Sequence, residues 1–228
     1  KALGFVNAVN SLGQVAGMLA GGYAAQQIGI HAAFILSVAV GAIGVLLALF
    51  VFEEKRPRTP INAVVLSEAV KDDNLLRLSG LGIITQVITF VTVFGFLPVA
   101  GKELGANHME LGLLTTVAIV PAIVSSALSG SVFSVRFGER KTLVLGLMTM
   151  AVSSISIPFI TTLPSLYVSQ AIGGFGKGLV FPLLMGLCIK NFAAHKRSTA
   201  MGVFQAAYGL GMFGGPVLAG LISSAFGL

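Results

Sequence analysis

Seven apolar runs dominate the 228-residue chain, at 2–25, 31–52, 78–100, 111–133, 142–160, 165–189 and 199–224. Each is about long enough to cross a bilayer as one helix of roughly 20 residues. A segment surrounded by lipid must satisfy its backbone hydrogen bonds internally, and a helix does so without help from a neighbour. The chain is therefore expected to be an all-α membrane protein of about seven transmembrane helices. Only 10% of its residues are charged, against about 25% in soluble domains, which excludes a water-soluble fold. The net charge of +6 does not make a nucleic-acid surface, because the basic residues are scattered through short loops instead of clustered among aromatics.

The one long polar connection, 53–77, carries Pro57, Pro60 and both signs of charge. It is expected to separate the end of one bundle (1–52) from most of a second (78–228). Orientation follows from the distribution of Lys and Arg. One set of alternate loops holds Lys1, then Lys55, Arg56, Arg58, Lys71 and Arg77, then Arg136, Arg140 and Lys141, then Lys190, Lys196 and Arg197; the other holds Lys102 alone. The first set, with the long connection, is placed in the cytoplasm. Seven-helix receptors and retinal proteins have the opposite orientation, and the last run here lacks the lysine that retinal would need.

The last run, AMGVFQAAYGLGMFGGPVLAGL at 200–221, repeats the first. At a constant offset of 198 residues it matches at Ala2/Ala200, Gly4/Gly202, Ala8/Ala206, Leu12/Leu210, Gly13/Gly211, Gly17/Gly215 and Gly22/Gly220. Asn7, Asn10 and Gln14 fall on Gln205, Tyr208 and Met212, and their i, i+3, i+7 spacing puts them on one helical face. A long repeat in a hydrophobic chain points to a transporter built by duplication. Gly13, Gly17 and Gly21, Gly174 and Gly178, and Gly211 and Gly215 make faces of small residues that admit a close neighbour. With Pro216 they are expected to pack one bundle against the other.

Lys177 lies in the middle of an apolar run, within QAIGGFGKGLVFP at 170–182. A lysine at that depth costs about 2.5–3.5 kcal/mol on insertion scales, so it should face water or a partner. Two roles remain open: a cavity cation that meets an anionic group or a proton, or a lysine bonded to helix carbonyls near Pro182. The expected cavity set is Lys177, Gln205, Tyr208, Asn7, Asn10, Gln14, Gln86 and Thr89. All eight acids, Glu53, Glu54, Glu68, Asp72, Asp73, Glu103, Glu110 and Glu139, fall in loops or at run ends. His31, His108 and His195 stand apart and Cys188 is alone in an apolar run, so neither a metal site nor a disulfide is expected. The sequence has no phosphate loop and no G-x-S-x-G elbow, so no cofactor is expected and the chain is not read as an enzyme.

The stretch GSVFSVRFGERK at 130–141 resembles the cytoplasmic loop motif of the major facilitator superfamily, a glycine followed by Asp-Arg-x-Gly-Arg-Arg-Lys. Arg136, Gly138, Arg140 and Lys141 fit that pattern, whereas Val135 replaces its aspartate and Glu139 one of its arginines. Gly209 to Gly220, with Gly-Gly-Pro at 214–216, is similar to the glycine-proline motif of the family's drug antiporters; Gln14-Val15-Ala16-Gly17-Met18 lacks the proline. The resemblance implies a partial bundle of that family, helices 5 to 11 of twelve, with the substrate cavity between two six-helix halves. It further implies a multi-pass transporter of the cell membrane, of drug-efflux type, that exchanges a small amphiphilic molecule against protons and works as a monomer when full length. A carrier of an organic anion through Lys177, and a non-transporting sensor on the same scaffold, are the alternatives.

Overall fold

The computed structural model describes residues 2–50 and 63–226, with side chains from 13 to 50 and from 64 to 224. Among these residues the regular structure is entirely helical. Helix α1 (Ala2–Gln27) and α2 (Ile30–Ala48) turn about Gly29, whose φ of +109° suits a residue without a Cβ. After α3 (Ala63–Lys71), α4 (Asp73–Thr89) continues through a π-helical turn at Phe90–Phe96 into α5 (Leu97–Glu103). In the same way α6 (His108–Leu128) passes through a π-helical turn at Ser129–Phe133 into α7 (Ser134–Phe137). The long helices α8 (Glu139–Ser156), α9 (Leu163–Lys190) and α10 (Arg197–Phe226) follow.

Six helical stretches among the described residues are long and apolar enough to cross a membrane, and α1, at 26 residues, is a further helix of that length. Polar residues at the run ends fix where several of them begin. Asp72 caps α4 by accepting a hydrogen bond from Leu75 N at 2.7 Å. Asn107 and Glu110 form a reciprocal capping box at the start of α6, with bonds of 2.9 and 2.8 Å. Each satisfies amides that the first helical turn leaves without a partner. These caps start the third and fourth spans at Asp73 and His108, about five and three residues before the apolar runs begin.

Helix α9 is the centre of the bundle, packed against α4, α6, α8 and α10. Two apolar clusters surround it. The larger joins Leu75, Leu143, Val180, Leu184, Ala200 and Phe204 from α4, α8, α9 and α10; the smaller joins Leu97, Leu114 and Leu166 towards the opposite end. Helix α2 has no buried residue, and Phe34, Ile35 and Val38 lie open on its surface.

The 53–77 connection needs correction on the side that the structure describes. Residues 63–71 are helical and 73–77 already belong to α4. Ala69 of α3 is buried in the larger cluster, and Glu68 pairs with Lys196 just before α10. Val65 and Ala69, four residues apart, are the least exposed of its residues, while Ser67, Glu68 and Lys71 stay exposed, so the short helix docks one face and wets the other.

Candidate functional site

A cavity of about 860 Å³ opens between α1, the continuous rod of α4, its π-helical turn and α5 (the α4 rod), and α6, α8, α9 and α10. Its polar wall includes Gln14, Thr89, Thr92, Ser126, Gln170, Lys177, Gln205 and Tyr208. Apolar walls come from Met18, Ile88, Val93, Phe94, Ile119, Ile123 and Phe181. A concave apolar site with a few convergent polar groups is the usual form of a small-molecule site.

The π-helical turn at Phe90–Phe96 puts Thr92, Val93 and Phe94 on this wall. Such turns shift the side chains beyond them around the helix axis and recur at functional sites. Proline at position 98, just after the turn, lacks the amide that a regular ladder would use. Thr85 and Thr89 return their hydroxyl protons to Leu81 O and Thr85 O. Thr89 and Thr92 therefore present mainly acceptor lone pairs to the cavity, because the hydroxyl of Thr92 likewise donates to Ile88 O. Other donors on the wall are the amides of Gln14, Gln170 and Gln205, the Ser126 and Tyr208 hydroxyls and the Lys177 ammonium.

Lys177 is half-buried and is the only charged residue on the cavity wall among the described residues. Its position is set by Gly174 and Gly178, one turn to either side. An added Cβ on Gly174 would meet the Ala118 carbonyl, 2.7 Å from its carbon and 2.9 Å from Ala118 Cα; one on Gly178 would come within 2.8 Å of Ala122 Cα. Only glycine lets α9 lie on α6 at this spacing. Ser129 adds a hydrogen bond of 2.6 Å to Leu179 O across the same pair of helices. Opposite, Tyr208 packs edge-on against Phe181 and Phe204, with ring centroids 5.2 and 5.4 Å away.

Of the residues expected in a cavity, Lys177, Gln205, Tyr208, Gln14 and Thr89 come together on this wall. The side chains of Asn7 and Asn10 lie outside the described residues. Gln86 is elsewhere: it is 5% exposed, its Oε1 meets no partner among the described residues, and it lies against Gly211 where α4 crosses α10. The Gly211 notch draws it there, because no side chain of α10 occupies that space.

The glycines expected between the bundles also need correction. Gly174 and Gly178 face α6, while Gly211 and Gly215 face Ile83 and Phe90 of the α4 rod. All four thus pack helices that the sequence assigns to one and the same bundle. Gly13, Gly17 and Gly21 have open space where a Cβ would stand, and Pro216 is exposed on α10. The close crossing between α1 and α6 is instead made by Gly22 and Gly112. A Cβ on Gly112 would stand 2.9 Å from Met18 O, and one on Gly22 3.0 Å from His108 O. Gln26 Oε1 accepts from Met109 N at 3.2 Å at the same crossing. Sequence reasoning missed this pair, although Gly22 lies in the repeat.

In the cytoplasmic loop, Gly138 takes φ +83° between α7 and α8, which accounts for the glycine in the motif. Glu139, the departure from that motif, pairs with Lys190 at 2.8 Å. Arg136 lies over the Phe137 ring at 5.8 Å, and Arg140 and Lys141 are exposed.

The sequence profile described as Major Facilitator Superfamily matches residues 1–96 and 78–228. Quinolone resistance protein NorA of Staphylococcus aureus is 27% identical over 131 residues, covering 58% of this chain and 34% of that protein. Multidrug resistance protein 2 of Bacillus subtilis strain 168 is 24% identical over 237 residues, covering 97% of this chain and 58% of that protein. The chain thus spans from 34% to 58% of the length of these curated relatives. A helical bundle with multiple membrane spans, matched by one family profile along its length, the chain belongs to the major facilitator superfamily of cell-membrane transporters.

Proposed function

We propose that this chain is part of a secondary active exporter that moves small amphiphilic molecules out of the cell by alternating access, coupled to protons. The observation that carries the proposal is the cavity itself, about 860 Å³ of mixed apolar and hydrogen-bonding wall at the centre of a membrane bundle. Its size suits a drug-sized solute. The relatives named for quinolone and multidrug resistance favour export of amphiphiles over uptake of a sugar or an ion. With no phosphate loop in the sequence to draw on ATP, an ion gradient is the energy source that remains.

The crossing of α1 and α6 at Gly22 and Gly112 is the proposed pivot. Two backbones in contact through glycine can rock without displacing side chains. The wall contributed by α1, Gln14 and Met18, would then move relative to the wall contributed by α4, α6, α8, α9 and α10. A monomer is the proposed working unit of the full-length protein.

The test uses the full-length protein in inside-out membrane vesicles. A fluorescent amphiphilic tracer should accumulate when a pH gradient is imposed, and should leak back when a protonophore collapses that gradient. Accumulation that persists with the protonophore present would remove proton coupling. No accumulation of any amphiphilic tracer would overturn the exporter and favour a sensor built on the same scaffold.

A further inference from the structure

We infer that the molecules this cavity accepts carry an anionic group, a carboxylate in the simplest case, and that this group pairs with Lys177. The inference rests on the exporter proposed above and narrows its substrate class. Lys177 stands 14 residues from Leu163 and 13 from Lys190 in α9, so roughly 20 Å of helix separates it from either end. Its four-carbon stem cannot span half of a hydrocarbon core about 30 Å thick, and the ammonium stays at cavity depth.

No described residue supplies a counter-charge. Glu139 is engaged with Lys190 and Glu68 with Lys196 at the loop ends, and Glu110 is bound in the cap of α6. Among the described residues the ammonium makes no hydrogen bond, and every other side chain on the cavity wall is neutral. An ammonium at this depth is tolerated because it lines a cavity that admits water. A ligand anion that enters replaces that water with a charge-assisted pair against a neutral, low-dielectric wall, and water returns when it leaves, so binding stays reversible.

The wall around the ammonium gives the ligand a shape. Phe181 is one helical turn beyond Lys177, on the same face of α9, and its ring meets Tyr208 edge-on at 5.2 Å. An anionic head at Lys177 thus places an attached apolar body against the Phe181–Tyr208 pair, with the amides of Gln170 and Gln205 along the same wall. The close seat of Gly174 and Gly178 on Ala118 and Ala122 holds α9 against α6 and keeps the ammonium at this height. A cationic amphiphile in the same pose would bring like charges together, which the neutral part of the wall cannot offset.

The experiment compares two probes with one skeleton, 1-pyrenebutyrate and 1-pyrenebutyramide, on the purified full-length protein by fluorescence anisotropy. Transport of both is followed in vesicles. Wild type should bind the carboxylate at least about tenfold more tightly than the amide, the ratio a charge-assisted hydrogen bond supplies. Lys177→Gln should bring the two affinities together by weakening the carboxylate alone, and Lys177→Arg should keep the preference. Equal affinity of wild type for both probes overturns the inference whatever the variants do. That is also the result expected if a carboxylate elsewhere in the full-length protein already pairs with Lys177. Transport of the amide with no carboxylate preference defeats this inference and leaves the exporter standing, whereas transport of neither probe defeats both.

Discussion

Replacing Gly174 with alanine tests the packing that places the cavity. The new Cβ would collide with Ala118, 2.7 Å from its carbonyl carbon and 2.9 Å from its Cα, where ordinary contact begins at 3.4 Å. Backbone cannot rotate out of the way as a side chain can, so α6 and α9 must separate by more than half an ångström. Overpacking of this kind costs about 1–3 kcal/mol, with contact against backbone placing it at the upper end. Alanine's better helix propensity returns about 1 kcal/mol, leaving a net loss of roughly 2 kcal/mol. Spread over the 228 residues of this chain, that corresponds to a fall in Tm of about 4–8 °C, and to a smaller fall for a longer polypeptide. Gly186→Ala is the internal control, because a Cβ there meets nothing within 4 Å, and its Tm should hold or rise slightly. Thermal unfolding in detergent, read by a thiol-reactive dye that reports exposure of the buried Cys188, measures both. If Gly174→Ala melts no lower than Gly186→Ala, the α6–α9 crossing is not as close as described and the placement of Lys177 fails with it.

Three further outcomes follow from the same packing. Ser129→Ala removes the bond to Leu179 O and should cost about 0.6 kcal/mol, up to about 1.7, the range for hydrogen bonds between membrane helices; the same melting assay reads it. Gly138→Ala forces a Cβ onto φ +83°, ψ 156°, a region that essentially only glycine occupies, so unfolding should show a loss of about 1–3 kcal/mol, although the site has open space around it. Glu139→Gln breaks the ion pair with Lys190, whose side chains are 44% and 59% exposed, so stability should change by no more than about 1 kcal/mol. A larger loss would mean that the loop pair holds the bundle shut.

The membrane spans were legible because length and apolarity decide them together. Lys177 was legible because a lysine amid an apolar run has few tolerable surroundings. The first turns of α4 and α6 were hidden by their own polarity, since Asp73, Arg77, His108 and Glu110 are charged or polar yet helical. The π-helical turn that places Thr92, Val93 and Phe94 on the wall has no apolar period of its own, so a reading at 3.6 residues per turn passes over it. Gln86 and Thr89 are three residues apart, yet Gln86 fills the notch at Gly211 while Thr89 reaches the cavity. That difference depends on where α10 crosses α4, which no local pattern contains. Glycine spacing likewise announces a close neighbour without naming it. Gly174 and Gly211 turned out to face helices of their own bundle, and the contact between α1 and α6 fell to Gly22 and Gly112.

The most direct test of a cavity that opens alternately to the two sides is the reactivity of a thiol placed on its wall. Gln205→Cys in the full-length protein, which occupies an exposed position on that wall, should react with a membrane-impermeant thiol reagent added from the cytoplasmic side in one energised state and from the outer side in the other. A bound amphiphilic anion should slow the reaction from both sides. Labelling from one side only under every gradient, with no protection by ligand, would contradict a cavity that carries its substrate across the membrane.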